Sequence, residues 1–170
     1  YRYLLLGRSV ERVDMTIRML LSRAGDRTTS PAWVNVLVSA GGHDTFLRTY
    51  RGVLDAENIV EFMLLDRLFP RSIFHALSVA ERNLGQLESG PSRVGAQAEA
   101  QLLLGRARSS LEFLEPGKLL DDLQDRLVDL QDTCRAVNEA VTKQYFHVSP
   151  YVSWADARVS DGHVIEESEL

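Results

Sequence analysis

The sequence predicts an all-α protein, an up-down bundle of about six to seven helices without a sheet. Three observations support this class. Apolar residues recur every three or four positions along most of the chain. Gly and Pro residues separate these stretches, and no segment alternates apolar and polar residues as a half-buried strand would. The one β-prone run, WVNVLV at 33–38, follows Ser30-Pro31, a pair that favours the start of a helix.

Four helices are predicted in the first part of the chain. The first has an apolar stripe and ends near Ala24-Gly25; the second begins at Ser30-Pro31 and ends at Gly41-Gly42. Asp44 is expected to cap a third, DTFLRTYR. The fourth, LDAENIVEFMLLD, has apolar residues in nearly every direction, which predicts burial on most sides. The stripe of the first helix consists of Leu6, Val10, Val13, Ile17 and Leu20.

Three longer helices follow, each with one apolar stripe. The first two stripes end at Gly90-Pro91 and Pro116-Gly117. The third alternates in steps of three and four and predicts a coiled-coil-like seam packed at a shallow angle. The stripes are Ile73, Leu77, Ala80, Leu84 and Leu87; Ala100, Leu104, Ala107, Leu111 and Leu114; and Leu120, Leu123, Leu127, Leu130, Cys134, Val137 and Val141. We therefore expect a helical bundle over 1–146 and an irregular acidic tail over 147–170.

The amino-acid composition and charge exclude several classes of function. The 170 residues suit one domain, with 45% apolar and 25% charged residues. The net charge is −5, of which 148–170 contribute −4 through five acidic residues and one arginine, so the body is nearly neutral and unlike a nucleic-acid binder. No apolar run approaches the roughly 18 residues of a membrane span. The single cysteine, Cys134, excludes an internal disulfide and favours a reducing, cytoplasmic location.

Common metal and cofactor motifs are missing from the sequence. No Glu has a His three residues later, as di-iron bundles require, and the chain has no P-loop or dinucleotide-binding glycine motif. Gly41-Gly42 could bind an anion at the next helix N-terminus, but a plain helix stop is the simpler interpretation. Cys134 falls on an apolar seam, where an inert buried thiol is expected. The sequence therefore predicts no metal and no cofactor.

Charged residues that border the apolar stripes are the candidate site. In the first helix, Gly7, Glu11, Asp14 and Arg18 form a row about 100° from the stripe, and Arg8 and Arg12 lie on a third side. Two interpretations remain open: local ion pairs that fix helix register on a solvated face, or a polar pocket between helices for an anionic or peptide-like ligand. Similar border positions later in the chain are Asp66, Arg67, Arg71, Glu81 and Arg82.

Three segments together resemble the bacterial alpha-E domain family, an all-helical family of unknown function named for a Glu-Arg motif. They are GRSVERVDMTIRML at 7–20, FLRTYRGVLDAENIVEFMLLDRLFPRSIFHAL at 46–77, and Glu81-Arg82. The similarity extends from about Leu4 to Phe146. It implies that the chain is the later half of a longer domain, which would expose an apolar surface towards the missing N-terminal half.

The resemblance also implies association with ATP-grasp-type amide ligases and transglutaminase-like proteins. On that basis we expect a non-catalytic accessory or interaction domain, in which Arg8, Arg12 and Arg18 hold carboxylates and Glu11 and Asp14 orient the arginines or an amine. An enzyme of amide or peptide chemistry with Glu11 as its catalytic candidate is one alternative, and a purely structural bundle is another. Expected partners are the missing half, the ligase or transglutaminase-like protein, or a second copy, and neither nucleic acid nor a membrane.

Overall fold

The structure, a computed structural model, describes residues 1–25, 31–50, 54–87, 98–115, 117 and 119–146, and these contain seven helices and no strand. The all-α prediction is confirmed for this part of the chain. The expected tail, the Ser30 cap and the breaks at Gly90-Pro91 and Pro116 lie outside the described residues. The helices are α1 (Arg2–Leu21), α2 (Pro31–Ser39), α3 (His43–Tyr50), α4 (Ala56–Leu65), α5 (Ile73–Leu87), α6 (Glu99–Glu112) and α7 (Leu123–Tyr145).

Helices α1 and α5 form the most extensive helix pair and run antiparallel. At the start of α1, the Arg2 guanidinium donates to the carbonyl of Gln86 near the end of α5, at 3.0 Å. Towards the end of α1, the Thr16 hydroxyl donates to the carbonyl of Arg71, just before α5, at 2.9 Å. These two contacts fix the register of the pair at both ends.

The other two long helices complete a four-helix bundle. The Tyr3 ring of α1 lies 5.2 Å from the Tyr145 ring of α7, and Gln131 donates to Asp14 at 3.1 Å, so α1 and α7 are antiparallel. Helix α6 packs between α5 and α7. The bundle is therefore up-down, as the sequence predicts.

The short helices α2, α3 and α4 pack together at the end of the bundle where α1 ends and α5 begins. Asp55 caps α4 by accepting a hydrogen bond from the backbone N–H of Asn58 at 2.8 Å. Five apolar residues of α4 are inaccessible to solvent and Leu65 is partly buried, which confirms the predicted burial of this helix on most sides. The five are Ile59, Val60, Phe62, Met63 and Leu64.

Apart from Leu87, the residues of the predicted apolar stripes lie in one continuous core or pack against it. Several helix boundaries differ from the prediction. Helix α1 ends at Leu21, before Ala24-Gly25, and helix α6 ends at Glu112, so Leu114 follows it. Helix α3 begins at His43, because the Phe46 N–H donates to the Gly42 carbonyl at 2.8 Å, so Asp44 lies inside its first turn instead of capping it. Helix α7 begins at Leu123, so Leu120 precedes it. Of the helices that the structure describes, none has the length and apolarity needed to cross a bilayer.

Candidate functional site

The loop between α4 and α5, residues 66–72, is held by its own polar side chains. Asp66 Oδ1 accepts hydrogen bonds from the backbone N–H groups of Leu68 at 2.8 Å and Phe69 at 2.6 Å. The buried Ser72 hydroxyl donates to the Asp66 carbonyl and accepts from the His75 N–H at 3.1 Å, which caps α5. The loop therefore has a defined shape, because both of its ends are hydrogen-bonded.

Arg71 connects this loop to the turn that follows α2. Its guanidinium Nη1 donates to the carbonyl of Ala40, and its own carbonyl accepts from Thr16 of α1 at 2.9 Å. A Cβ atom on Gly41 would lie 2.8 Å from Arg71 Nη1. The guanidinium can therefore approach the turn only because position 41 has no side chain.

The Gly41-Gly42 pair ends α2 in the manner expected from the sequence. Gly41 has a φ of 63°, its N–H donates to Val38 at 2.9 Å, and the Gly42 N–H donates to Leu37 at 2.8 Å. These are the two bonds of a Schellman motif. The helix-stop interpretation is confirmed.

A cleft of about 640 Å³ lies over the 66–72 loop, within the size range of small-molecule sites. Arg12 enters it from α1, one turn before Thr16, and α3 contributes two threonines. The cleft thus combines two guanidinium groups, a carboxylate and two hydroxyls with exposed apolar surface. Its lining consists of Arg12, Gly41, Thr45, Thr49, Asp66, Leu68, Phe69, Pro70 and Arg71.

The two arginines of the cleft are not neutralised by acidic neighbours. Among the described residues, Arg12 makes no ion pair or side-chain hydrogen bond, and Arg71 bonds a neutral carbonyl. No ion pair within 4.0 Å joins Asp66 to either arginine in the described part of the chain. Two positive groups therefore face one carboxylate without forming an internal salt bridge.

A second depression of about 350 Å³ adjoins the first, because Arg12 and Arg71 line both. Arg8 and Glu11 of α1 also line it. Both are exposed, and neither forms an ion pair with any residue that the structure describes. Three of the predicted arginines and the candidate catalytic carboxylate thus lie on one continuous surface.

Asp14 and Arg18 lie apart from that surface, in a groove of about 290 Å³ between α1 and α7. Asp14 accepts from Arg18 Nε at 2.7 Å and from Gln131 at 3.1 Å. Burial opposes ionisation of Asp14, but the hydrogen bonds from Gln131 and Arg18 outweigh it and lower the pKa of the carboxyl. The pair satisfies itself locally, which matches the ion-pair interpretation for these two residues.

Cys134 borders the same groove and is buried. Burial, together with the negative charge of Asp14, raises the pKa of its thiol to about 12. A neutral thiol is a poor nucleophile. The predicted burial of Cys134 in the core is confirmed.

The remaining candidates, Arg67, Glu81 and Arg82, do not reach the cleft. Arg108 of α6 donates to Glu81 at 2.6 Å and to Glu112 at 2.7 Å, and Arg67 donates to Glu112 at 3.0 Å. The hydrogen bond from Arg108 lowers the pKa of Glu112. Arg82 is exposed, and no ion pair joins it to the described residues. This network ties α5 and α6 to the end of α4.

Sequence reasoning missed several residues of these sites. Arg108 and Glu112 are spaced i, i+4 on one helix, a signal that could have identified the pair. Thr45 and Thr49 share one face of α3 for the same reason. The position of Gly41 against the Arg71 guanidinium had no signal in the sequence, because it depends on a contact between distant segments.

Comparison with known proteins finds a match to one family model. Neither curated proteins nor solved structures give a match. A family model for Alpha-E, described as a predicted alpha-helical domain with a conserved ER motif, matches residues 1–146. Both Glu-Arg pairs of the sequence, Glu11-Arg12 and Glu81-Arg82, fall inside that range. The match covers all seven helices, and the chain belongs to the Alpha-E family.

Proposed function

We propose that the chain is a non-catalytic binding domain that holds an anionic group, a carboxylate by preference, in the cleft over the 66–72 loop. One observation supports this most directly. Arg12 and Arg71 come from different elements, line the same cleft, and have no acidic partner among the described residues. Guanidinium groups bind carboxylates through paired hydrogen bonds, which gives both affinity and orientation.

The positions of the two arginines explain how such binding would be specific. Arg71 is held by the Ala40 carbonyl and by Thr16, so part of its conformational freedom is already lost before a ligand arrives. Arg12 is exposed and free to adjust. One oriented and one adaptable guanidinium can accept carboxylates on ligands of different size.

Titration of the purified chain with N-acetyl-L-leucine, followed by NMR chemical shifts, tests this proposal. We expect shifts at the cleft that weaken when salt is raised, because the contacts are solvent-accessible ion pairs. Arg12→Gln should weaken binding by about ten-fold, the effect of one charged hydrogen bond. Arg82→Gln, an exposed arginine outside the cleft, is the matched control. Equal affinity in wild type and Arg12→Gln would contradict the proposal.

We further propose that the domain serves a partner that forms or breaks amide bonds, an ATP-grasp-type ligase or a transglutaminase-like protein, as the family resemblance implies. Exposed apolar side chains where α1 starts and α7 ends support a protein contact; they include Tyr3, Leu4 and Phe146. Sedimentation velocity of the chain with such a ligase tests it. A chain that sediments as a monomer at every ligase concentration would contradict it.

An enzymatic function remains the second candidate, and Glu11 is the observation that favours it. Its carboxylate lines both the depression with Arg8 and Arg12 and the groove with Asp14. Turnover of amide or peptide substrates that Glu11→Gln abolishes, with the fold intact, would support an enzyme over a binding domain. If the chain bound no ligand and no partner, the purely structural bundle would be the interpretation that agrees with the data.

A further inference from the structure

We propose that the ligand of this cleft is a zwitterion, a free amino acid or short peptide with an apolar side chain, whose ammonium group is bound by Asp66. The inference rests on the proposed function, since the carboxylate end of the ligand is assigned to Arg12 and Arg71. It adds a second recognition element and thereby names the chemical class of the ligand.

The carboxylate of Asp66 uses only one of its two oxygens inside the protein. Oδ1 accepts the N–H groups of Leu68 and Phe69. Oδ2 accepts no hydrogen bond from any residue that the structure describes. The two bonds to Oδ1 hold the carboxylate in one orientation and leave Oδ2 as an acceptor on a residue that lines the cleft.

The charges of the cleft are separated instead of paired. Asp66 forms no ion pair with Arg12 or Arg71 in the described part of the chain, although all three line the same cleft. For a purely anionic ligand, repulsion by Asp66 offsets part of the attraction by the two arginines, and a purely cationic ligand is repelled by both arginines. A ligand that carries both charges can pair with Asp66 and with the arginines at once.

The apolar part of the lining indicates what lies between the charged groups. Leu68 is 86% exposed, and Pro70, two residues later in the same loop, is exposed as well. Contact with a ligand side chain would remove this surface from water. A volume of about 640 Å³ accommodates an amino acid or a dipeptide but not a folded domain.

Three ligands with the same side chain and different charged groups test the inference by isothermal titration calorimetry with the full chain. L-leucine carries both groups, N-acetyl-L-leucine lacks the ammonium, and L-leucinamide lacks the carboxylate. We expect L-leucine to bind about ten-fold more tightly than either analogue. L-leucyl-L-leucine, tested beside them, distinguishes a peptide ligand from a free amino acid, because the better binder has the charge separation that fits the cleft.

Asp66→Asn isolates the charge of the carboxylate. The amide oxygen can still accept the N–H groups of Leu68 and Phe69, so the loop should keep its shape while the negative charge is lost. The variant should lose the preference for L-leucine over N-acetyl-L-leucine. Asp129→Asn, an exposed position on α7, is the matched control and should keep it. Should Asp66→Asn fail to fold, the three-ligand comparison on the wild-type chain decides alone.

The outcomes separate this inference from the proposed function. Equal affinities of the wild-type chain for L-leucine and N-acetyl-L-leucine would overturn the inference of a zwitterionic ligand. The proposed carboxylate site would still be supported. Equal binding of L-leucine and L-leucinamide overturns both, since the arginines would then make no contribution. Absence of binding for all four ligands at millimolar concentration also overturns both.

Discussion

Two glycine-to-alanine substitutions should change stability in opposite directions. Gly41 has a φ of 63°, and a Cβ there would lie 2.8 Å from Arg71 Nη1. Gly7 lies inside α1, is exposed, and has nothing within 4 Å of the position of an added Cβ. The same chemical change therefore meets strain at one site and open space at the other.

The expected magnitudes follow from these geometries. At Gly7, alanine restricts the unfolded chain and suits the helix, which raises the free energy of unfolding by about 0.5–1 kcal/mol. At Gly41, the left-handed conformation costs an alanine about 1–2 kcal/mol, and the unfolded-state gain offsets about 0.4–1 kcal/mol. Displacement of the Arg71 guanidinium from the Ala40 carbonyl adds the loss of one hydrogen bond, about 1 kcal/mol. Gly41→Ala should therefore destabilise by about 1–2.5 kcal/mol in total.

Urea unfolding followed by circular dichroism measures the free energy of unfolding of both variants. A double variant separates the backbone strain at position 41 from the displacement of the Arg71 guanidinium. Only Arg71 atoms lie within 4 Å of the added Cβ. In an Arg71→Ala background the collision is absent, so Gly41→Ala should cost only the backbone strain. The difference between the two backgrounds gives the coupling between positions 41 and 71.

Three results would refute this reasoning. One is a change of the same sign at Gly7 and Gly41. The second is an equal cost of Gly41→Ala with and without Arg71, which would mean that the guanidinium does not occupy the space beside the turn. The third is unaltered affinity of Gly41→Ala for N-acetyl-L-leucine, because a displaced Arg71 should weaken carboxylate binding.

Four further predictions concern the core and its titratable groups. Leu127→Ala, at a fully buried position, should cost about 2–5 kcal/mol in urea unfolding, whereas the neighbouring and 41% exposed Val128→Ala should cost less than about 1 kcal/mol. Native Cys134 should resist iodoacetamide at pH 8 and react after urea unfolding, as mass spectrometry would show; rapid alkylation of the native chain would contradict its burial. Because the folded pKa of Cys134 is about 12 against an ordinary 9.0, the free energy of unfolding should fall as pH rises from about 9 to 12, and Cys134→Ala should flatten this slope. The lowered pKa of Asp14 stabilises the fold above the unfolded carboxyl pKa of about 3.9, so this contribution, below about 1 kcal/mol, is lost on acidification; an unchanged acid-side slope in Asp14→Asn would refute it.

Most of the fold could be predicted from local sequence patterns. Most of the residues that repeat every three or four positions in the sequence lie in the core, because a helix presents such positions on one face. The apolar run of α4 indicated burial on most sides, and the Gly41-Gly42 pair indicated the end of α2. Each of these features depends on a few consecutive residues. It can therefore be predicted without knowing which helices pack beside it.

The candidate site could be predicted only in part, because it depends on contacts between residues that are distant in the sequence. Glu11 and Arg12 are adjacent in sequence but point about 100° apart on α1, so only Arg12 reaches the cleft over the 66–72 loop. Glu81 likewise turns from Arg82 and pairs with Arg108 of another helix. Charge pairing depends on which helices become neighbours, and no local pattern encodes that.

The sequence by itself thus determined the helices, their buried faces and several of their ends, because 3.6-residue periodicity and Gly or Pro stops act over a few residues. Only the tertiary structure decided which charged groups neutralise one another and which do not. The packing of α1 against α5 brings Arg12 beside Arg71 and leaves both without an acidic partner among the described residues. The packing of α5 against α6 commits Glu81 to Arg108. Ion pairs form between surfaces that meet, and those surfaces exist only after the helices have packed.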